Sequence, residues 1–256
     1  MLRTLRSVHD KIETVVTQPL LRTETPLDGR MNIVRSQETN LGNVLADAVR
    51  AFYDTDIGFV NSGAIRCDRV VQCSNGSPLC IRDVIEISPF DNAFVVKKVD
   101  GSMLKDALEN SVSDAHTDGR FLQLSGLSMV ADWYQPEGQR VKSVTYHNKQ
   151  GQIESLQKDC YYTVAMVDFI GSGFDGYTCF QDAETIVDAE GAMTDTNMLL
   201  EVFKVETKTA SSEFDDEHTA GIRRARKAII HGYDAADGLP MVSPKLEDRI
   251  KFTTGV

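Results

Sequence analysis

The stretch Tyr161 to Tyr177, YYTVAMVDFIGSGFDGY, constrains the rest of the chain more than any other. Tyr161 to Val167 is rich in β-branched and aromatic residues, which favour an extended, half-buried strand. Gly171, Gly173 and Gly176 follow, permitting positive φ angles and close backbone approach, as a ligand-facing loop at a strand end requires. Phe169 enters that loop and Asp175 lies six residues later. A ring able to stack on a flat base, followed by a carboxylate able to accept hydrogen bonds from sugar hydroxyls, reads as a nucleoside grip. On these residues alone a plainer reading stays open: Phe169 in the core, Asp175 holding the turn, the glycines reversing the chain.

A chain of 256 residues can bury a sizeable core and fits one large domain or two small ones. Its net charge of −11 argues against nonspecific binding to nucleic acid or anionic membranes, both of which need a basic surface, while leaving room for a local positive pocket. No apolar run approaches the length of a membrane span, and MLRTLRSVHDK lacks the apolar segment of a signal peptide. The expectation is an intracellular chain or one whose beginning is missing. The five cysteines show no CxxC pairing, so a zinc site is not expected. Cys67, Cys73 and Cys80 share one loop region and leave a disulfide open; the odd total leaves at least one thiol unpaired within the chain.

Taken in order, Leu2, Leu5, Val8, Ile12 and Val15 fall at helical spacing and predict an amphipathic helix, followed by an extended connection through Pro19, Pro26 and Gly29. In RSQETNLGNVLADAVRAFY, Thr39 or Asn40 can cap a helix whose apolar stripe runs from Leu41 to Phe52. Arg35 stands before that helix start, where an arginine can complete an anion site or simply pair with Glu38. The apolar strand Ile57 to Val60 runs into Asn61, Ser62, Gly63, Ala64, Ile65 and Arg66, a second candidate ligand edge. Phe90, between Pro89 and Asp91, belongs to a loop from which it can fold back into the core. Strands are expected at 94–99, 124–133 and 141–147, and helices at 103–112, 194–203 and 222–230. His116 reads as solvated, the run from Phe214 to Glu217 as a solvated face, and Arg223, Arg224, Arg226 and Lys227 as partners of the acidic segment before them. The tail from Gly238 to Val256 shows no periodicity and is expected to wrap over the surface. Interleaved strand and helix signals predict a mixed α/β (α+β) layered domain.

Reaction equipment is harder to find than binding equipment. Metal-dependent phosphoester hydrolysis needs clustered Asp, His and Asn ligands, but the five histidines are isolated and no HxH or GNH occurs. There is no GxSxG elbow and no GxxxxGK phosphate loop. No catalytic residue and no metal ligand is therefore assigned.

Six motifs then agree in order and spacing with one family. RSQETNLGN, NSGAIR, the SPF turn, VDGSMLKDALE, GRFLQLSGL and FIGSGFDGY resemble the C-terminal domain of 5′-nucleotidases, a family that also includes bacterial UDP-sugar hydrolases, over Pro26 to Phe203. The resemblance implies an α/β fold with sheets sandwiched between helices. It also implies an N-terminal two-metal phosphoesterase domain, missing from this chain, that would hold the divalent cations. Residues 1–25 resemble the linking helix and connector; residues 204–256, beyond the resemblance, are expected to form an acidic and basic extension wrapping the domain. By motif, Phe90 and Phe169 resemble the two rings that sandwich the base, and Asp175 the carboxylate that holds the ribose hydroxyls. Arg35, Asn61 and Arg66 resemble the polar set on the phosphate and sugar side. Each base–ring stack would contribute on the order of 1 to 3 kcal/mol. Phe174 departs from the family, where a small residue or lysine is commoner, and Ser62 and Ala64 replace glycines of some members.

The resemblance implies a substrate-recognition domain for nucleosides or nucleotides, inactive without its metal domain. A stand-alone nucleotide-binding or dimerisation module is the alternative, since the family domain often forms homodimers; members are often secreted, periplasmic or membrane-anchored. An independent hydrolase using Glu38 or Asp175 as base is the weakest reading, because no activated nucleophile accompanies them.

Overall fold

β-Branched and aromatic residues give Tyr161–Val167 its strand, and its neighbours decide where the loops meet. In the structure, a computed structural model that describes residues 2–73, 76–113, 118–204 and 217–253 (side chains from residue 9 onward), this strand is the centre of a five-stranded sheet. The order across it is Glu184–Val187, Phe94–Asp100, Tyr161–Val167, Ile57–Asn61 and Leu122–Ser125. Tyr161–Val167 runs parallel to Ile57–Asn61 and antiparallel to Phe94–Asp100, while Leu122–Ser125 runs antiparallel to Ile57–Asn61. A second four-stranded sheet, Ile153–Ser155, Val141–His147, Leu127–Ala131 and Ile250–Phe252, and a third built on Pro19–Thr23 complete the main β framework.

The Asn40–Phe52 helix starts where a hydroxyl can satisfy an orphan amide: Thr39 accepts from Gly42 N at 3.0 Å. Its stripe of Leu41, Val44, Leu45, Ala48, Val49 and Phe52 is buried against the central sheet, and the Glu217–Ile229 helix packs on it. The Gly101–Ser111 helix, capped by Asp100, lies against Phe94–Asp100 and Val141–His147. The fold is the expected mixed α/β architecture of sheets and helices.

Several local expectations are revised. The segment predicted as one strand over 124–133 is two, in different sheets, because Gly126 at φ +82° turns the chain between them; a Cβ there would come within 2.2 Å of the Asp56 carbonyl oxygen. The connection after the first helix supplies the strand Pro19–Thr23. The tail expected to wrap over the surface contributes strands Pro240–Val242 and Ile250–Phe252 to two sheets. The basic cluster caps helix ends as well as pairing with Glu217: Arg224 donates to the carbonyls of Ala51 and Phe52, and Arg226 to those of Glu201, Val202 and Lys204. All five cysteines are free thiols. His116, the segment 114–117, the run from Phe214 to Asp216 and the side chains of Leu2, Leu5 and Val8 lie outside the described residues.

Candidate functional site

Sheet register gathers the site. Because Ile57–Asn61 and Tyr161–Val167 are parallel, the segments that leave their C-terminal ends, Ser62 to Arg66 and Asp168 to Asp175, emerge on one edge. Val167 pairs with Phe94, which brings the preceding Ser88 to Asn92 loop to the same edge, and Asn61 pairs with Leu122, which brings Gly119 and Arg120. Together with the turn at Arg35, these four segments surround a cleft of about 470 Å³, and all six residues singled out from the sequence line it: Arg35, Asn61, Arg66, Phe90, Phe169 and Asp175.

Each is held by its own neighbourhood. Arg35 caps the short Met31–Val34 helix, and the segment behind it is pinned by buried Gln123, whose amide donates to the carbonyls of Val34 and Gln37 and accepts from Thr39 N at 3.0 Å. Glu38, the sequence's alternative partner for Arg35 and a candidate base, is buried outside the cleft wall and accepts from Asn43 and the backbone amides of Glu247 and Ile250. Asn61 is only 4% exposed, and its Oδ1 has no hydrogen-bond partner among the described residues. A buried acceptor left open beside a cleft is satisfied when a donor enters.

Phe90 does not fold into the core. It is 51% exposed, with the Arg66 guanidinium 5.0 Å from its ring centroid. Its loop is fixed from behind by the start of the Asp195–Phe203 helix: Asp195 accepts from the backbone and side-chain nitrogens of Asn92, and Thr196 Oγ1 donates to the Ser88 carbonyl at 2.5 Å. Burial raises the Asp195 carboxyl above its ordinary pKa, against the pull of these hydrogen bonds.

Phe169, 41% exposed, lies in a short helix, Asp168–Gly171, where the sequence suggested an immediate turn. Gly173 and Gly176 adopt the positive φ expected of them, at +93° and +83°; Gly171 is needed instead for close approach to Val95. Asp175 is itself left-handed at φ +53°, an arrangement that costs a non-glycine residue about 1 kcal/mol, and its carbonyl accepts from Asn110 at 3.0 Å. Its carboxyl is raised above the usual carboxylate range, first by burial and then by the charge of Asp118, with Arg120 and Arg35 pulling the other way. The arrangement offers two rings, a carboxylate and two guanidiniums around one concave space. Among the described residues no group of three or more His, Cys, Asp or Glu side chains gathers to hold a metal ion.

Residues 19–182 match the model of the 5′-nucleotidase C-terminal domain. The chain belongs to this family. It is 30% identical over 184 residues to the trifunctional nucleotide phosphoesterase protein YfkN of Bacillus subtilis, covering 70% of this chain and 12% of that protein. Against human 5′-nucleotidase it is 29% identical over 186 residues, covering 67% of this chain and 32% of the relative. A crystal structure titled as a 5′-nucleotidase precursor from Thermus thermophilus superposes with a TM-score of 0.74 at 25% identity, over 99% of this chain and 43% of that one. The chain thus spans less than half the length of each of these relatives.

In this 5′-nucleotidase C-terminal domain further residues line the cleft, of which Gly63 and Ala64 belong to the candidate ligand edge read from the sequence and Asn92, Gly119 and Val167 do not. Gly63 N donates to the Gly119 carbonyl at 2.9 Å, and a Cβ on Gly119 would lie 2.6 Å from the Gly63 Cα, so the floor closes only with glycine at this contact. Gly63 stood in a motif already quoted, whereas the contact itself depends on the antiparallel strand pair. Buried Tyr177 donates its hydroxyl to the Arg120 carbonyl, tying two of the converging segments together. Among the described residues no helix is long and apolar enough to cross a membrane.

Proposed function

We propose that this chain is the nucleotide-recognition domain of a 5′-nucleotidase-like phosphoester hydrolase. Phe90 and Phe169 take the two faces of the base, Asp175 accepts from the ribose hydroxyls, and Arg35, Asn61 and Arg66 meet the phosphate and sugar side. The observation that supports this reading is that all six, named from four separate motifs, line one cleft of about 470 Å³, the size of a small-molecule site. Relatives described as 5′-nucleotidases and as a nucleotide phosphoesterase point to the same ligand class. Arginine is suited to the anionic end because its fork donates charge-assisted hydrogen bonds, which lets an acidic chain hold a phosphate.

In the complete enzyme a separate N-terminal metallophosphoesterase domain would supply two divalent cations that polarise the phosphate and activate water. This domain contributes position: a base fixed between rings and a ribose fixed at a carboxylate leave the phosphate one place to be. Titration of the chain with adenosine, AMP and a sugar phosphate, followed by calorimetry or NMR, tests the reading. Nucleosides are expected to bind weakly, around millimolar, which is about 4 kcal/mol, and Phe169→Ala to abolish the binding. Equal binding by wild type, Phe90→Ala and Phe169→Ala would remove the stacking model.

A further inference from the structure

The loop that carries Phe169 and Asp175 contains a third aromatic, Phe174, which is outside the cleft wall. Its ring stacks on that of Phe169, with centroids 4.9 Å apart and planes 12° from parallel. Phe174 is 59% exposed, so this contact does not fill a core. The chain reverses at Gly173, where a left-handed backbone with φ +93° brings residue 174 back alongside residue 169. Asp175, next in sequence and left-handed, takes its direction from the same reversal. The restraints on this end of the loop include the ring pair, the Asn110 hydrogen bond to the Asp175 carbonyl and the bond from Tyr177 N to the Phe174 carbonyl.

From this geometry we infer that Phe174 is a positioning residue. By stacking its ring on that of Phe169, it fixes the separation between the base-stacking ring and the Asp175 carboxylate. The site is thereby tuned to ligands that carry a base and a vicinal sugar diol at one set spacing, ribonucleosides rather than free bases or deoxygenated sugars. The inference rests on the nucleoside reading of the cleft. Preorganisation is what gives the clamp an effect on affinity: a ring and a carboxylate already held in register lose less freedom when a two-part ligand binds. An offset aromatic pair on this scale corresponds to about 3- to 10-fold in an equilibrium constant.

The test compares adenosine with 2′,3′-dideoxyadenosine by NMR titration of the whole 256-residue chain, in wild type, Phe174→Ala, Phe174→Leu and Phe174→Tyr. Amide spectra verify that each variant is folded. In wild type adenosine should bind more tightly than the dideoxy compound. Phe174→Ala and Phe174→Leu should weaken adenosine about 3- to 10-fold and shrink the preference for the diol, while Phe174→Tyr, which keeps a stacking ring, should retain both. If wild type binds with that preference and the alanine variant leaves the ratio unchanged, Phe174 is an apolar cap and the inference is wrong. Failure of wild type to bind either nucleoside would overturn the nucleoside reading as well, which separates the two failures.

Discussion

Arg249 provides a test of how the domain is held together. It is 8% exposed and makes a two-pronged pair with Asp47 of the Asn40–Phe52 helix, both contacts at 2.8 Å, a bond to the Leu124 carbonyl at 2.7 Å and two to Glu247 at 2.8 and 3.0 Å. Burial works against its charge, but the hydrogen bonds and charges of Asp47 and Glu247 outweigh it and hold the guanidinium firmly protonated. Arg249→Met keeps an unbranched apolar stem and removes every one of these donors. Asp47 is then left with the Ser125 hydroxyl at 2.6 Å. Breaking a fully buried pair costs about 3 to 5 kcal/mol. Here Asp47 and Glu247 keep 29% and 58% of their side-chain surface, so water recovers part of the loss and about 2 to 3 kcal/mol is expected. For a chain of this size that lowers the unfolding midpoint by roughly 4 to 12 °C. Calorimetry measures the shift, and hydrogen exchange should report faster opening of Ile250–Phe252, whose pairing with Leu127–Ala131 follows directly on Arg249. A midpoint within about 1 °C of wild type, or strict additivity with Asp47→Ala, would show that this tail is not anchored by the pair.

Nucleoside binding should weaken as pH falls, because a carboxylate accepts sugar hydroxyls best when ionised and Asp175 takes up its proton at a higher pH than an ordinary aspartate. The same shift has the opposite sign for folding: the native state holds that proton more tightly than the unfolded chain, so this group's penalty is relieved as pH falls through its raised value. Asp175→Asn should flatten the pH dependence of binding, which titrations at several pH values would detect. Gly119→Ala should force apart the Gly63 contact, costing about 1 to 3 kcal/mol in urea unfolding and most of the nucleoside affinity; a variant with wild-type stability and binding would contradict the fixed cleft floor. Asp195→Ala should free the Ser88 to Asn92 loop and lose stability by about 1 to 3 kcal/mol, with nucleoside affinity falling beyond what Thr196→Ala alone produces.

Much of the candidate site was legible because its chemistry sits in short motifs. Phe169 and Asp175 lie on one loop, and Asn61 and Arg66 on another, so spacing along the chain survives as spacing in space. The side chains that hold them were not legible. Gln123 pins the Arg35 segment across more than eighty residues, at separations of 84, 86 and 89, and Asp195 holds the Phe90 loop across a separation of 103. Nothing local marks either residue, since an isolated Gln in a strand and an Asp at a helix start both have ordinary local uses.

By itself, then, sequence determined which segments would be strands and helices where the periodicity was strong, and which residues were candidates for the cleft. Local backbone preference and side-chain type are properties of a few neighbouring residues, so they can be read from them. Tertiary structure decided that Phe90 faces a cleft instead of the core, that Gly126 sends one apparent strand into two sheets, and that the tail is anchored through Arg249. Those outcomes depend on parallel and antiparallel pairing between strands far apart in the chain, and on buried hydrogen-bond partners contributed by distant segments. Register, which no single stretch encodes, is what turns four separate loops into one site.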